Sequence, residues 1–169
     1  MATSNSGPAI NNNLSLSAEG QRRLRRRESV RGYYNDGGGN RGNCTYGIGI
    51  LLHRGPCTSE ELARPLTAAQ IESSFRAAVR EAERAVRRNV NRRQLTQEQF
   101  DALVSFTFNT GAGRAHRVLQ RVNQGDLAGA AAAIRGYTFS SRNGRMIPMP
   151  GLVSRRLEES APFRPTRQE

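Results

Sequence analysis

Eight glycines fall between residues 31 and 57, at positions 32, 37, 38, 39, 42, 47, 49 and 55. No helix survives that density, because a glycine inside a helix costs about 1 kcal/mol relative to alanine. Tyr33-Tyr34 and Thr45-Tyr46 flank the tightest cluster, Gly37-Gly38-Gly39. Residues with strand preference on either side of a turn-forming run predict a small β-hairpin with the glycines as its turn.

The rest of the chain reads as helix. Ser17 is placed to cap a helix over 17–27 with Leu16 and Leu24 at its ends. Thr67-Ala-Ala-Gln70 has capping-box spacing and opens a helix whose apolar face carries Ile71, Phe75, Ala78, Val79, Ala82, Ala85 and Val86. Thr96-Gln-Glu-Gln99 opens the most apolar helix, with a stripe of Phe100, Leu103, Val104, Thr107 and Phe108 and a stop at Gly111. Further helices are expected over 114–124, from Asp126 to Gly136, and around 152–160, with a loop over 140–151 before the last. The expected fold class is therefore α+β and mostly helical. A small glycine-rich β lobe faces a helical lobe, and the cleft between them is a natural substrate site.

A chain of 169 residues is most simply one domain. We expect a flexible arm over 1–15, a folded domain over 16–163 and a loose tail over 164–169. No apolar run approaches the roughly 18 residues of a membrane span. The polar N-terminus has no charged and apolar segments of the secretory kind, so synthesis in the cytoplasm without a classical signal is expected. The net charge is +12, carried by arginine with no lysine, which favours polyanions such as nucleic acid, anionic lipid or an anionic envelope.

Cys44 and Cys57 permit three readings. They stay reduced, they form a disulfide in an oxidising compartment, or they join His53 in an incomplete zinc site of unfamiliar spacing. A metal is not expected, and neither is a cofactor.

Most of the 14 carboxylates sit where helices want them. Glu98 and Asp101 fall in a first turn, where negative charge suits the dipole, and Glu158 and Glu159 lie beside Arg155 and Arg156. Glu28 differs, because it ends a helical run and leads straight into the glycine-rich segment. Taken singly, Glu28 reads as a surface partner of an arginine, Asp36 as a turn residue and Thr45 as a strand former; His53 and His116 read as surface or structural residues. Together, two carboxyls and a hydroxyl within 18 residues are the parts needed to cleave a glycosidic bond.

That combination resembles the catalytic segment of the phage-type lysozymes, glycoside hydrolase family 24. The residues carrying the resemblance are Glu28, Tyr34-Asn-Asp36 and Thr45-Tyr-Gly-Ile-Gly49, followed by Leu51-Leu52. It continues through Gln99 to Gly111, similar to that family's central buried helix, then Asn123-Gln-Gly-Asp126 and Pro150-Gly-Leu-Val-Ser-Arg-Arg156. It spans about residues 15–163. The chain departs from the pattern in the spacing of the three site positions, in Ile50 where a histidine is frequent, and in lacking the usual later tryptophan, with Tyr137 the nearest aromatic.

The resemblance implies a lysozyme-like fold and a muramidase that cleaves the β-1,4 bond between N-acetylmuramic acid and N-acetylglucosamine in peptidoglycan. Glu28 would be the general acid, Asp36 the ionised partner, and Thr45 a holder of the attacking water. Leu51 and Phe108 are weaker candidates for lining the sugar cleft, a core role being favoured for Phe108. The expected partners are peptidoglycan and an anionic envelope surface, acted on by a monomer in the periplasm or outside the cell, with no specific nucleic acid. A phage endolysin is the first expectation and a secreted antibacterial effector the second. The competing class is a nonenzymatic basic binding module for envelope or nucleic acid. The charge supports it, but the arginines are spread over several helices and no nucleic-acid motif is present.

Overall fold

The computed structural model describes residues 10–28, 31–36, 42–142 and 144–165. Helix α1 (Ala18–Arg27) starts where the Ser17 hydroxyl accepts from the Gly20 amide at 3.0 Å, and it buries Leu24. Gly20 allows a close approach: a Cβ there would lie 2.6 Å from Leu16 Cδ1 and 3.0 Å from Asp101 Oδ2.

Strands β1 (Arg31–Asp36), β2 (Asn43–Gly47) and β3 (Ile50–His53) form an antiparallel sheet in the order β1-β2-β3. The expected hairpin is β1–β2, and its predicted turn at Gly37-Gly38-Gly39 lies outside the described residues. The third strand extends that hairpin, turning back through Gly47 and Gly49 at φ +62° and +99°. A short helix α2 (Ser59–Ala63) follows, opened by a reciprocal capping box between Thr58 and Glu61.

Helices α3 (Ala68–Asn89) and α4 (Gln97–Thr110) carry the two expected capping boxes. Then come α5 (Ala112–Asn123), α6 (Leu127–Gly136) capped by Asp126, and α7 (Pro150–Ser160), closed by a 3-10 turn over Ala161–Phe163. The loop expected over 140–151 contains a second hairpin, β4 (Phe139–Arg142) with β5 (Arg145–Pro148). Gly144, between the two strands, has φ +75°, the left-handed region that favours glycine.

Helix α4 is the core. Phe100, Leu103, Val104 and Phe106 are fully enclosed, and α3, α5, α7 and α1 pack around them. Burial extends almost all round α4, so its inward surface is wider than the stripe read from periodicity; Phe106 is inside it and Phe108 only partly buried. Residues 10–15 of the expected arm are fastened to this body: Asn11 is buried, donates to Val90 O at 2.8 Å and accepts from the Leu95 amide at 2.9 Å. Residues 1–9 and 166–169 lie outside the described residues. No helix among the described residues is long and apolar enough to cross a membrane.

Candidate active site

Glu28 is the C-cap of α1, with its amide bonded back to Leu24 O at 3.2 Å. Helical geometry therefore ends at Glu28, and β1 begins three residues later. Glu28 consequently sits where the helical body hands the chain to the sheet. Its side chain is only 17% exposed and accepts from Arg155 Nη1 at 3.2 Å.

The sheet presents the other two residues. Asp36 ends β1, exposed, directly opposite Asn43 on β2, while Thr45 lies two positions further along β2 opposite Tyr34. Partners across an antiparallel ladder point to the same face, as do residues two apart on one strand. Asp36, Asn43, Thr45 and Tyr34 thus share one face, and a diagonal such as Asp36 to Thr45 spans about 7–8 Å. Thr45 is 2% exposed and donates from Oγ1 to Asn43 O at 3.1 Å.

The opposite face carries Tyr33, Cys44 and Tyr46. Tyr33 and Tyr46 stack at 5.5 Å between ring centroids, and the Cys57 amide is anchored at 2.7 Å by Asn35 Oδ1. Cys44 and Cys57 form a disulfide. Of the three readings of this pair, the structure takes the bridge. With Glu61 these sulfurs make the close group of potential ligands among the described residues, but joined sulfurs supply no thiolate. His53 instead makes a 3.0 Å contact with Glu61 through Nε2 and another with Arg54 O through Nδ1.

One contact ties the sheet to α3, and a second joins α3 to α4. Ser74 donates to Tyr46 OH at 3.4 Å, and Phe75 packs on Phe108 at 5.8 Å between centroids. Phe108 therefore joins α3 to α4, partly buried against the core. Leu51 is 54% exposed on β3, paired with Thr45, and offers an apolar surface beside it. His116 is on α5, its Nδ1 at 3.0 Å from Asn89 Oδ1, away from these residues in the fold.

Sequence reasoning missed the other half of the site. Arg155 and Glu159, read only as neighbouring charges on the last helix, are 7% and 2% exposed. Glu159 Oε1 accepts from Arg155 Nε at 3.0 Å and from Ser105 Oγ at 2.6 Å, and its Oε2 pairs with Arg156. Arg156 also binds Asn109 and donates to Tyr137 O at 2.9 Å. Burial pushes the Arg156 guanidinium down from its ordinary value, with Glu159 opposing that shift. Helix α7 turns this charge inward while Val153 and Leu157 stay almost half exposed, the reverse of ordinary amphipathic patterning. No periodicity rule points to that. On the far side of the network, a cavity of about 240 Å³ between α1, α4 and α7 opens onto Arg27, Asp101, Ser105 and Glu158. It includes neither Glu28 nor Asp36 nor Thr45.

The Phage lysozyme family profile matches residues 26–159. An endolysin of Acyrthosiphon pisum secondary endosymbiont phage 1 is 41% identical over 71 residues, which is 41% of this chain and 49% of that relative's length. Among solved structures, the endolysin of Escherichia coli O157:H7 phage FAHEc1 superposes with a TM-score of 0.69 at 28% identity, covering 89% of this chain and 93% of its own. The muramidase domain of SpmX from Asticaccaulis excentricus gives 0.65 at 28% identity, covering 89% and 97%.

Proposed function

The chain belongs to the phage lysozyme family, and from that premise we propose that it is a muramidase hydrolysing the β-1,4 bond between N-acetylmuramic acid and N-acetylglucosamine in peptidoglycan. The observation that carries this reading is the placement of Glu28. A carboxyl that ends one helix, is held by an almost buried arginine and directly precedes in sequence the sheet bearing Asp36 and Thr45 has the surroundings of a positioned proton donor.

Glu28 gives its proton to the glycosidic oxygen as the bond to the anomeric carbon breaks. The Arg155 guanidinium then faces the carboxylate that remains. Asp36, ionised and exposed at the end of β1, stabilises the oxocarbenium-like centre or accepts a proton from the entering water. Thr45 has its hydroxyl hydrogen turned to Asn43 O, so its oxygen lone pairs are available to a water hydrogen. Leu51 offers an apolar contact to a sugar face, and Phe108 supports the cleft from the core.

The biological setting follows from the relatives and the charge. Named relatives are endolysins, so we assign lysis of the bacterial wall from the periplasm or the outer side. The Cys44–Cys57 bridge suits an oxidising compartment of that kind. The arginine surface favours an anionic envelope over a specific nucleic acid, and the chain acts as a monomer.

The deciding experiment is clearance of purified peptidoglycan by wild type and Glu28→Gln, with the released reducing ends identified. A folded Glu28→Gln protein should be at least about 10³-fold slower, as expected when an essential acid is lost. Clearance at the wild-type rate would remove Glu28 from the mechanism. Release of N-acetylglucosamine reducing ends in place of muramic acid ones would change the bond assigned.

A further inference from the structure

We propose that Glu159, acting together with Ser105, is a positioning residue for the reaction: it holds the Arg155 guanidinium so that one of its nitrogens is delivered to the Glu28 carboxyl. This inference rests on the reading of Glu28 as the general acid.

The geometry is a chain of commitments. Arg155 has five N–H donors in a rigid fork. Its Nε is taken by Glu159 Oε1 at 3.0 Å. Its Nη2 donates to Ser105 O at 3.2 Å and reaches Ser105 Oγ at 3.4 Å. Ser105 Oγ in turn donates to the same Glu159 oxygen at 2.6 Å. With two corners of the fork fixed by α4 and by α7 itself, Nη1 is the corner that meets Glu28, at 3.2 Å. Exposure rises outward along the series, from 2% at Glu159 to 7% at Arg155 and 17% at Glu28. Anchor, arm and acid are thus arranged from the core to the site.

Glu159 also neutralises charge that would otherwise be buried without a partner. Its second oxygen pairs with Arg156, whose remaining donors go to Asn109 and Tyr137 O. Each member has its hydrogen-bonding groups engaged, and a fully satisfied buried network holds its members in one geometry. A small displacement of a catalytic group costs about a hundredfold in rate when it spoils alignment, which is why an anchor remote from substrate can govern turnover.

The test is a kinetic cycle on purified wall fragments, with thermal unfolding measured in parallel. Glu159→Gln should lower kcat about tenfold or more with KM within about twofold, because the residue acts on the acid and not on substrate binding. Glu159→Asp should recover part of the loss. In an Arg155→Ala background, Glu159→Gln should lower kcat no further, since the arm it positions is gone. A folded Glu159→Gln enzyme with wild-type kcat would overturn the proposal, and so would losses that multiply in the double variant. Ser105→Ala removes one hydroxyl and no charge; should Glu159→Gln fail to fold, the same cycle with Ser105→Ala decides in the same way. Glu28→Gln is run alongside. If it is as active as wild type, the reading of Glu28 has failed; if it is inactive while Glu159→Gln is fully active, only the positioning role has failed.

Discussion

Arg155 on α7 donates from Nη1 to Glu28 Oε1 at 3.2 Å, so the last helix reaches the residue that ends the first across 127 positions of sequence. The same guanidinium is fixed from behind by Glu159 and Ser105. One side chain therefore serves both the core and the candidate site, and damage to it should show in stability and in rate together.

Arg155→Ala leaves Glu28 without its guanidinium and Glu159 with one fewer partner. Removing one member of a buried ion pair costs about 3–5 kcal/mol, so the melting temperature should fall by roughly 6 °C or more in a domain of this size. Wall clearance per folded molecule should also fall at least tenfold. Arg155→Lys keeps the charge, but one ammonium cannot serve Glu159, Ser105 and Glu28 at once, and it should lie between wild type and alanine in both measurements. An Arg155→Ala protein as stable and as active as wild type would contradict the arrangement.

Asp36 tests the other side of the site. It is exposed at the end of β1, so neither Asp36→Asn nor Asp36→Glu should shift the melting temperature by more than that of a typical surface change, about 0.5 kcal/mol. Asp36→Asn should nevertheless cost most of the activity, because an amide neither accepts a proton nor balances a developing cation. Asp36→Glu should keep a measurable part. Equal activity for the Asn and Glu variants would argue that the charge at this position is not used, and attention would move elsewhere on the shared sheet face.

How far the sequence carries the fold depends on which physics sets each element. Side chain–backbone caps are local, so the boxes at Thr67–Gln70 and Thr96–Gln99 are legible without any tertiary knowledge. The equivalent box at Thr58–Glu61 is present in the sequence too, yet the helix behind it has five residues, too few to show an apolar period. Glu28, Asp36 and Thr45 stand out because they are close in sequence and match a known pattern. Arg155 and Ser105 lie in segments that match the pattern too, but nothing in the sequence gives them or Glu159 a role, since their importance lies in burial. Helix α7 buries Arg155, Arg156 and Glu159 and leaves Val153 and Leu157 almost half exposed, so hydrophobic patterning points the wrong way there.

Between pH 6 and pH 8 a pH effect is expected in the segment around the disulfide. The Arg54 carbonyl and then the Glu61 carboxylate hold the His53 pKa above its ordinary value. The Thr58 amide and then His53 hold Glu61 below the usual carboxylate range. A raised histidine contributes stability below its unfolded value, about 6.5, that is lost as pH rises through the folded value. A lowered carboxylate contributes above its unfolded value, about 4.3, and loses it as pH falls through the folded one. The His53–Glu61 contact should therefore be firmest between roughly pH 4.5 and 6.5 and loosen toward pH 8. Amide protection factors over 55–61, measured at pH 6 and pH 8, should fall in the wild type and not in His53→Gln. Equal protection at both pH values in the wild type would show that the pair does not hold the segment.

The arginine surface makes a prediction about salt. Arg76, Arg80, Arg84 and Arg88 lie four residues apart on α3, all exposed. Arg76 and Arg84 are paired with Glu72 and Glu81, whereas Arg80 and Arg88 have no ion pair among the described residues. Arg117 on α5 follows His116, whose contact with Asn89 brings α5 against this end of α3. No large apolar side chain is exposed on either helix, so attraction here is electrostatic and does not involve insertion into lipid. Exposed charges act through solvent and are screened beyond about 8 Å at physiological ionic strength. Replacing Arg80, Arg88 and Arg117 with glutamine takes the net charge from +12 to +9 by removing three positive charges. Clearance of intact wall should slow at low salt and converge on wild type as salt rises, giving a shallower slope of log rate against log salt. Hydrolysis of short soluble wall fragments, which need no capture by a charged surface, should be unchanged. A slope identical to wild type would place the attraction on other arginines, and a loss on soluble fragments as well would mean that these side chains support the catalytic domain and not its approach to the wall.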